Sequence, residues 1–311
     1  MTQFRDRRRS IADEPDDVER RRRIIALLGP DSEWPDVGLA LELGVEHLGG
    51  LTPDEAILVR VAFARCCEDG APDLLGHLRT GAIRLLSRAP TPDDVETLLE
   101  ATRTYLVRER VDVAAEMRGL ALLGLARIDP DLARWTAARL LFDGDTPGQE
   151  PHLTAVRLLS ANNDHPLLLR WLDDEEGVRP SEAAAEAEGA LGRVLPAELW
   201  KERSLTRLGD ARPLETLSAV EAIADCPRVE LADAVGAMLL GMRDADVFRA
   251  AALAFAASRE AVFQDVILSL VDHVPVPLLD AYTDAVSVSR DPRRVDVIGR
   301  ISARARGGFG T

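Results

Sequence analysis

Aromatic residues make up only 4% of this 311-residue chain, and lysine occurs once, at Lys201. A core short of aromatics must be filled by small aliphatic side chains. The apolar share of 46%, dominated by Ala, Leu and Val, excludes global disorder and suits closely packed helices better than sheets. Positive charge is almost entirely Arg, which with the Ala and Leu content suggests a GC-rich bacterial genome. Cysteine is scarce too. Cys66, Cys67 and Cys226 form no C-x-x-C pair, and adjacent cysteines close a disulfide only under strain. No stretch approaches the roughly 18 uninterrupted apolar residues of a membrane span, and "MTQFRDRRRSIADEPDD" has no apolar h-region. These absences lead to the expectation of a soluble, cytoplasmic protein that has no membrane partner.

Chemistry-bearing motifs are also missing. There is no Walker loop, no dinucleotide fingerprint, no H-E-x-x-H and no G-x-S-x-G. His47, His77, His152, His165 and His273 have no spacing that sets two on one helical face as metal ligands. The reading therefore assigns no catalytic residue, no metal and no cofactor. Cys66 and Cys67, in a stretch rich in Val and Ala, read as small buried hydrophobes.

The net charge of −15 disfavours a dedicated nucleic-acid binder, because duplex binding rests on cations that replace counterions along the phosphates. The charge is uneven, however. Arg5, Arg7, Arg8 and Arg9 precede a second run, Arg20 to Arg23, whereas Asp173, Asp174, Glu175 and Glu176 form a wholly acidic loop. The basic runs read as a solvated tail and an exposed helix face; the acidic loop serves either to steer a basic partner or to keep an Ala/Leu-rich surface soluble.

What the chain has in abundance is helix punctuation. Thr52, Pro53 and Glu55 form a capping box with the favoured first-turn proline, and Thr91, Pro92 and Asp94 repeat the device. Apolar residues recur at i, i+3, i+4 and i+7, without sustained alternation of period two. The pattern predicts helices near 16–28, 36–48, 53–68, 72–87, 92–107, 111–127, 130–142, 150–162, 165–174, 181–193, 196–208, 212–225, 228–241, 244–258, 260–273, 276–288 and 292–304, and no strand. From residue 111 onward they pair at intervals of roughly 30 to 36 residues, a spacing that marks stacked two-helix repeats. "MRGLALLGLARIDPDLARWTAARLL" and "HLTAVRLLSANNDHPLLLRWLDDE" share one grammar: an Ala/Leu-rich helix, a short polar turn, a second amphipathic helix. Pro130, Pro166, Pro227 and Pro292 open the second helices, where a missing amide costs least.

On these segments the chain resembles the HEAT-repeat and armadillo-type α-solenoids. The resemblance implies an all-α fold, a right-handed superhelical stack of two-helix repeats. It covers best 111–304 within a single domain at 16–304, flanked by an Arg-rich flexible tail at 1–15 and a Gly-rich one at 305–311. It also implies a ladder of turn Asp and second-helix basic residues, matched by Asp164 with Arg170 and more loosely by Asp129 with Arg134.

Trp135 and Trp171 each follow a helix-opening proline by five residues and an Arg directly, and Trp200 follows Pro196 by four. Arg134, Trp135, Arg170, Trp171 and Trp200 are therefore the candidate partner-binding residues, if second helices line a concave surface as the resemblance implies. A buried inter-repeat position that sometimes admits Trp fits the same register. The leading functional expectation is a non-enzymatic scaffold that binds another protein or a peptide. The alternative is a HEAT-like DNA-binding protein similar to the glycosylases that remove alkylated bases, for which Asp173 or Asp174 would supply the carboxylate. A third is a lyase or chaperone-like accessory of the same fold, similar to the HEAT-type proteins that handle pigment attachment.

Overall fold

The computed structural model describes residues 2–68, 70–73, 75–109, 111–143, 148–174, 179–208 and 213–307. Almost every ordered segment is helical, as the periodicity predicts, and the chain falls into two compact units, Met1–Leu167 with Glu176–Pro180 and Leu168–Glu175 with Ser181–Thr311. The sequence carries no linker to announce this division, where a single domain was expected.

The first unit contains α1 (Thr2–Ala12), α2 (Asp17–Ala26), α3 (Trp34–His47), α4 (Pro53–Cys66), α5 (His77–Leu86), α6 (Val95–Arg103), α7 (Ala115–Ile128), α8 (Pro130–Leu141) and α9 (His152–Ala161). Here α3, α5, α7 and α9 pack in succession, each on the next, with α4, α6 and α8 against them. Helix α10 (His165–Leu172) runs across the boundary. The second unit holds α11 (Ser181–Val194), α12 (Ala197–Leu208), α13 (Pro213–Asp225), α14 (Ala232–Gly241), α15 (Ala245–Ala256), α16 (Ala261–Ser269), α17 (Leu279–Val288) and α18 (Arg294–Gly307). The same succession links α11, α13, α15 and α17, and a second row links α12, α14 and α16.

The local code explains the breaks. Asp129 ends α7 and caps α8: its carboxylate accepts the Leu132 amide at 3.0 Å, with Pro130 in the first turn. Thr52 and Glu55 form both bonds of their capping box, at 3.4 and 2.6 Å. Thr91 and Asp94 do the same, but open a short 3-10 turn ahead of α6.

Three expectations are corrected. Residues 2–12 are not a free tail but a helix, α1, whose Ile11 is buried and whose Arg7 and Arg8 pair with Asp36, Glu42 and Glu46 of α3. At the other end, α18 continues through Gly307, past the expected helix limit, while 308–311 lie outside the described residues. Finally, a short antiparallel pair, Val107–Arg108 with Val111–Asp112, stands where helix ends were expected. The reason is Asp112. Its Oδ1 accepts the Leu106 and Ala114 amides at 3.1 and 3.0 Å, and its other oxygen meets Arg118 from α7, fixing a hairpin in which Glu109 takes a φ of 49°.

The guanidinium groups form a second recurring pattern. The last carbonyls of a helix have no partner within it. In this fold they receive arginines from a neighbouring hairpin: Arg88 donates to the Val45 carbonyl at 2.5 Å and to that of Leu48 at the end of α3, Arg127 to Ser87 and Arg88 at the end of α5, and Arg139 to Thr102 in α6. In the second unit Arg207 donates to Leu172, Arg228 to Gly192 and Arg304 to Val271 and Val274. Donor and acceptor lie 33 to 43 residues apart wherever the acceptor is Val45, Leu48, Ser87, Thr102, Leu172, Gly192 or Val271. Carboxylates join in at similar intervals, with Arg21 on Glu55, Arg60 on Asp94 and Arg249 on Asp284. Neither expected Asp/Arg pair forms: Arg134 grips Asp164, 30 residues on, and Asp129 serves its own helix.

The core of the second unit holds Trp200, Phe248, Phe255, Phe263 and Tyr282, with Phe255 stacked on Phe263 at 5.3 Å and the buried Tyr282 hydroxyl donating to the Ile267 carbonyl at 2.5 Å. Cys66 is buried and its thiol is pushed up to about 12 by burial, whereas Cys67, expected in the core, is exposed.

Asp112 and Arg118 are an almost completely buried ion pair, at 1% and 0% side-chain exposure. Removing one partner strands the other charge, so Asp112→Ala is expected to lower stability by about 3–5 kcal/mol in urea unfolding. A loss below about 1 kcal/mol would show that the pair does not hold the hairpin to α7.

Candidate binding groove

The five predicted Arg and Trp positions do not converge. Trp135 is 77% exposed, whereas Trp171 and Trp200 are buried at 2% and 1%, so those two belong to the core and are unavailable as anchors. Helix phase is the cause. Trp135 is the sixth residue of a helix that starts at Pro130, but Trp171 is the seventh of one that starts at His165, which turns it by about 100°. Trp135 therefore misses the buried stripe of Ala133, Thr136, Ala137 and Leu140, while Trp171 lies on the stripe with Leu168 and Leu172. Trp200 packs over Gly192, where an added Cβ would lie 3.0 Å from the indole, so this close approach requires glycine. Arg134 is engaged by Asp164 through a two-pronged pair, and Arg170 is exposed with no ion pair among the described residues. Of the acidic loop, Asp173 takes Arg203 at 2.7 Å, with Arg203 also forked on the buried Glu188; Glu175 and Glu176 lie outside the described residues.

The concavity that bears on binding lies elsewhere, in the first unit. A cavity of about 860 Å³ runs between α3 and α5, with Leu41, Val45 and Leu78 in its wall and Glu42, Glu46, Arg84 and Glu116 on its polar side. Pro35, His77 and Leu78 also line a second cavity of about 560 Å³, which continues towards Trp34, Pro72 and the 51% exposed Leu75. The two form one groove, apolar at the Trp34 end and carboxylate-rich at the other. Gly81 lets α5 approach α3 closely, since a Cβ there would stand 3.3 Å from that of Leu41. Trp34 is held by Arg65, whose guanidinium carbon lies 4.9 Å from the ring centroid.

Each carboxylate of the groove meets an arginine. Glu116 meets Arg84, while Glu42 and Glu46 both meet Arg8 of α1, at 3.0 and 2.7 Å. These carboxylates push the Arg8 guanidinium above its ordinary value, first through the hydrogen bond that Arg8 donates to Glu42. Sequence reasoning passed over this region. Its available signals were Trp34-Pro35 opening an amphipathic helix and Glu42 and Glu46 one turn apart on it.

A buried polar network in the same unit is structural. The Arg118 guanidinium lies 4.2 Å from the Tyr105 ring centroid, Tyr105 donates to Asp143, and Nε2 of the fully buried His152 sits 3.2 Å from the Asp143 carbonyl. Among the described residues no group of three His, Cys, Asp or Glu side chains is placed to hold a metal ion, and no helix is long and apolar enough to cross a membrane.

No protein-family model, curated protein or solved structure matches the chain.

Two measurements check this placement. Trp171→Ala and Trp200→Ala should each cost about 3–5 kcal/mol, and Trp135→Ala should stay within about 0.5 kcal/mol; equal losses at all three would contradict the burial pattern. Burial holds His152 below its ordinary value of 6.5, and Arg118 acts in the same direction. The unfolded chain then takes up the proton first, so stability is full above about pH 6.5 and falls as pH drops through the folded value. The urea midpoint should decrease between pH 7.5 and 5.5, and His152→Gln should flatten that decrease; an unchanged slope in the variant would assign it to another group.

Proposed function

We propose that the protein is a non-enzymatic binding module of HEAT-like two-helix repeats that holds a peptide segment of a partner protein in the α3–α5 groove. The observation that carries this reading is the groove: two continuous cavities with apolar walls, a half-exposed apolar mouth and a carboxylate-rich end. Such a surface offers apolar anchoring sites together with a few oriented polar groups, the combination that peptide recognition uses. Within each unit, the succession of helices packed on the next-but-one helix and the cross-hairpin bonds that join residues 33 to 43 apart in sequence support the repeat interpretation. Carboxylates at the groove repel phosphate, and of the two arginines that the base-excision alternative draws on, Arg134 is engaged by Asp164 and only Arg170 is exposed, which is too little cation for a phosphate-binding surface. With Trp171 buried and Asp173 held by Arg203, the pieces that the alternative needs are not presented together.

A random peptide library displayed on phage and selected against the full chain tests the reading. Recovered peptides should carry apolar anchors and basic residues and bind in the micromolar range, about −8 kcal/mol. Leu75→Asp, at an exposed position on the mouth, should weaken them at least ten-fold while leaving the helical circular dichroism intact. Peptides that bind wild type and Leu75→Asp equally would sink the assignment of the groove.

A further inference from the structure

Among the described side chains of α1, Ile11 is the one buried apolar group, and the described ion pairs to α3 are Arg7 on Asp36 and Arg8 on Glu42 and Glu46. Arg23 of α2 adds bonds at 3.0 Å to the carbonyl and hydroxyl of Ser10. The ion pairs to α3 are exposed, with 49% and 37% of the Arg7 and Arg8 side chains and 50% and 42% of those of Glu42 and Glu46 open to solvent. Exposed pairs are individually weak and are screened by salt. A helix held this way docks reversibly.

What it covers matters, because Glu42 and Glu46 line the groove. With α1 docked, Arg8 neutralises both; with α1 released, the α3 side of the groove carries two carboxylates freed of Arg8, one helical turn apart and about 6 Å along the axis, with only His47 beside Glu46 among the described residues. The position asks for a ligand with two cations at matching spacing. An arginine pair on one face of an amphipathic helix meets it, and apolar residues of the same segment would reach Leu78 and the Trp34 mouth.

We propose that α1 is an intramolecular competitor at the groove, and that the partner is an arginine-bearing amphipathic segment that must displace Arg8 from Glu42 and Glu46. This rests on reading the groove as the binding site. The chain thereby sets a threshold: a cationic segment gains the rim only when its own contacts exceed those of α1. The apparent affinity for any such ligand is lowered by the fraction of molecules whose α1 is docked.

The probe is a fluorescein-labelled synthetic peptide with the sequence of residues 2–14, titrated by anisotropy into the full chain and into the full-length double variant Arg7→Glu/Arg8→Glu, both first checked by circular dichroism. The variant is expected to bind the peptide at least ten-fold more tightly than wild type in 20 mM salt and to lose that binding in 500 mM salt. Ten-fold corresponds to α1 being docked in about nine molecules of ten. Adding Glu42→Arg/Glu46→Arg to the variant should abolish binding. Equal affinity in wild type and Arg7→Glu/Arg8→Glu, or binding that survives the glutamate reversal, would overturn the proposal, as would absence of binding to both proteins. The library-selected peptides separate the two levels of the argument. If they depend on Leu75 but bind wild type and Arg7→Glu/Arg8→Glu alike, the groove stands and the competitor role of α1 falls; if none depends on Leu75, the groove reading itself fails.

Discussion

The capture of helix-terminal carbonyls by arginine is the interaction on which the rest of this structure depends. Each helix ends with carbonyls that its own amides cannot reach, and in packed hairpins those ends face protein as often as water. A guanidinium reaching in from a neighbouring hairpin answers two demands, since it donates several hydrogen bonds in a fixed fork and places positive charge at the negative end of the helix dipole. Arg88 does both at the end of α3 through Val45 and Leu48, as does Arg304 through Val271 and Val274. An ammonium donates from a point and holds water more tightly, so it is a poorer substitute where two carbonyls must be met together. A chain with a single lysine fits that demand as well as it fits genomic composition.

The same dependence explains what was legible in the sequence. Caps and turns are local, and local chemistry is written in consecutive residues: Thr52 with Glu55 and Asp129 with Pro130 announce their helices, and the structure places those helices there. Partnerships across hairpins are not written that way. The expected pairing of Asp129 with Arg134 joined residues close in sequence, whereas the packing of the helices brings Arg134 to Asp164, 30 residues on. The hairpin at 107–112 escaped notice because two residues per strand give no alternation to detect, and its cause, the reach of Asp112 to Arg118, is tertiary. With the tryptophans, spacing from proline was taken as register. Register is counted from where the helix starts, and a start one residue earlier turned Trp171 inward while Trp135 stayed outside.

The groove was illegible for a related reason. Its walls come from α3, α5 and α7, and its rim charges are neutralised by α1, so none of its properties belongs to one segment. Glu42 and Glu46 one turn apart read as ordinary solvated charge until Arg8 is found between them. The Arg-rich stretch before them reads as a tail because its hydrophobic content is too low to predict docking; it docks through charge instead.

These two uses of arginine divide the surface into parts that serve the fold and parts that remain available. Arg134, Arg203 and Arg207 are engaged by Asp164, Glu188 and Leu172, so a ligand that drew on them would have to break contacts that hold neighbouring hairpins together. Arg8 is engaged too, but by exposed carboxylates, and α3, α5 and α7 pack on one another through contacts that do not include it. A binding event that costs the fold little must draw on contacts of the second kind. By that criterion the rim of α3 is the better place for a partner than the second-helix face carrying Trp135, and the negative charge exposed there when Arg8 leaves fixes the sign of what should arrive.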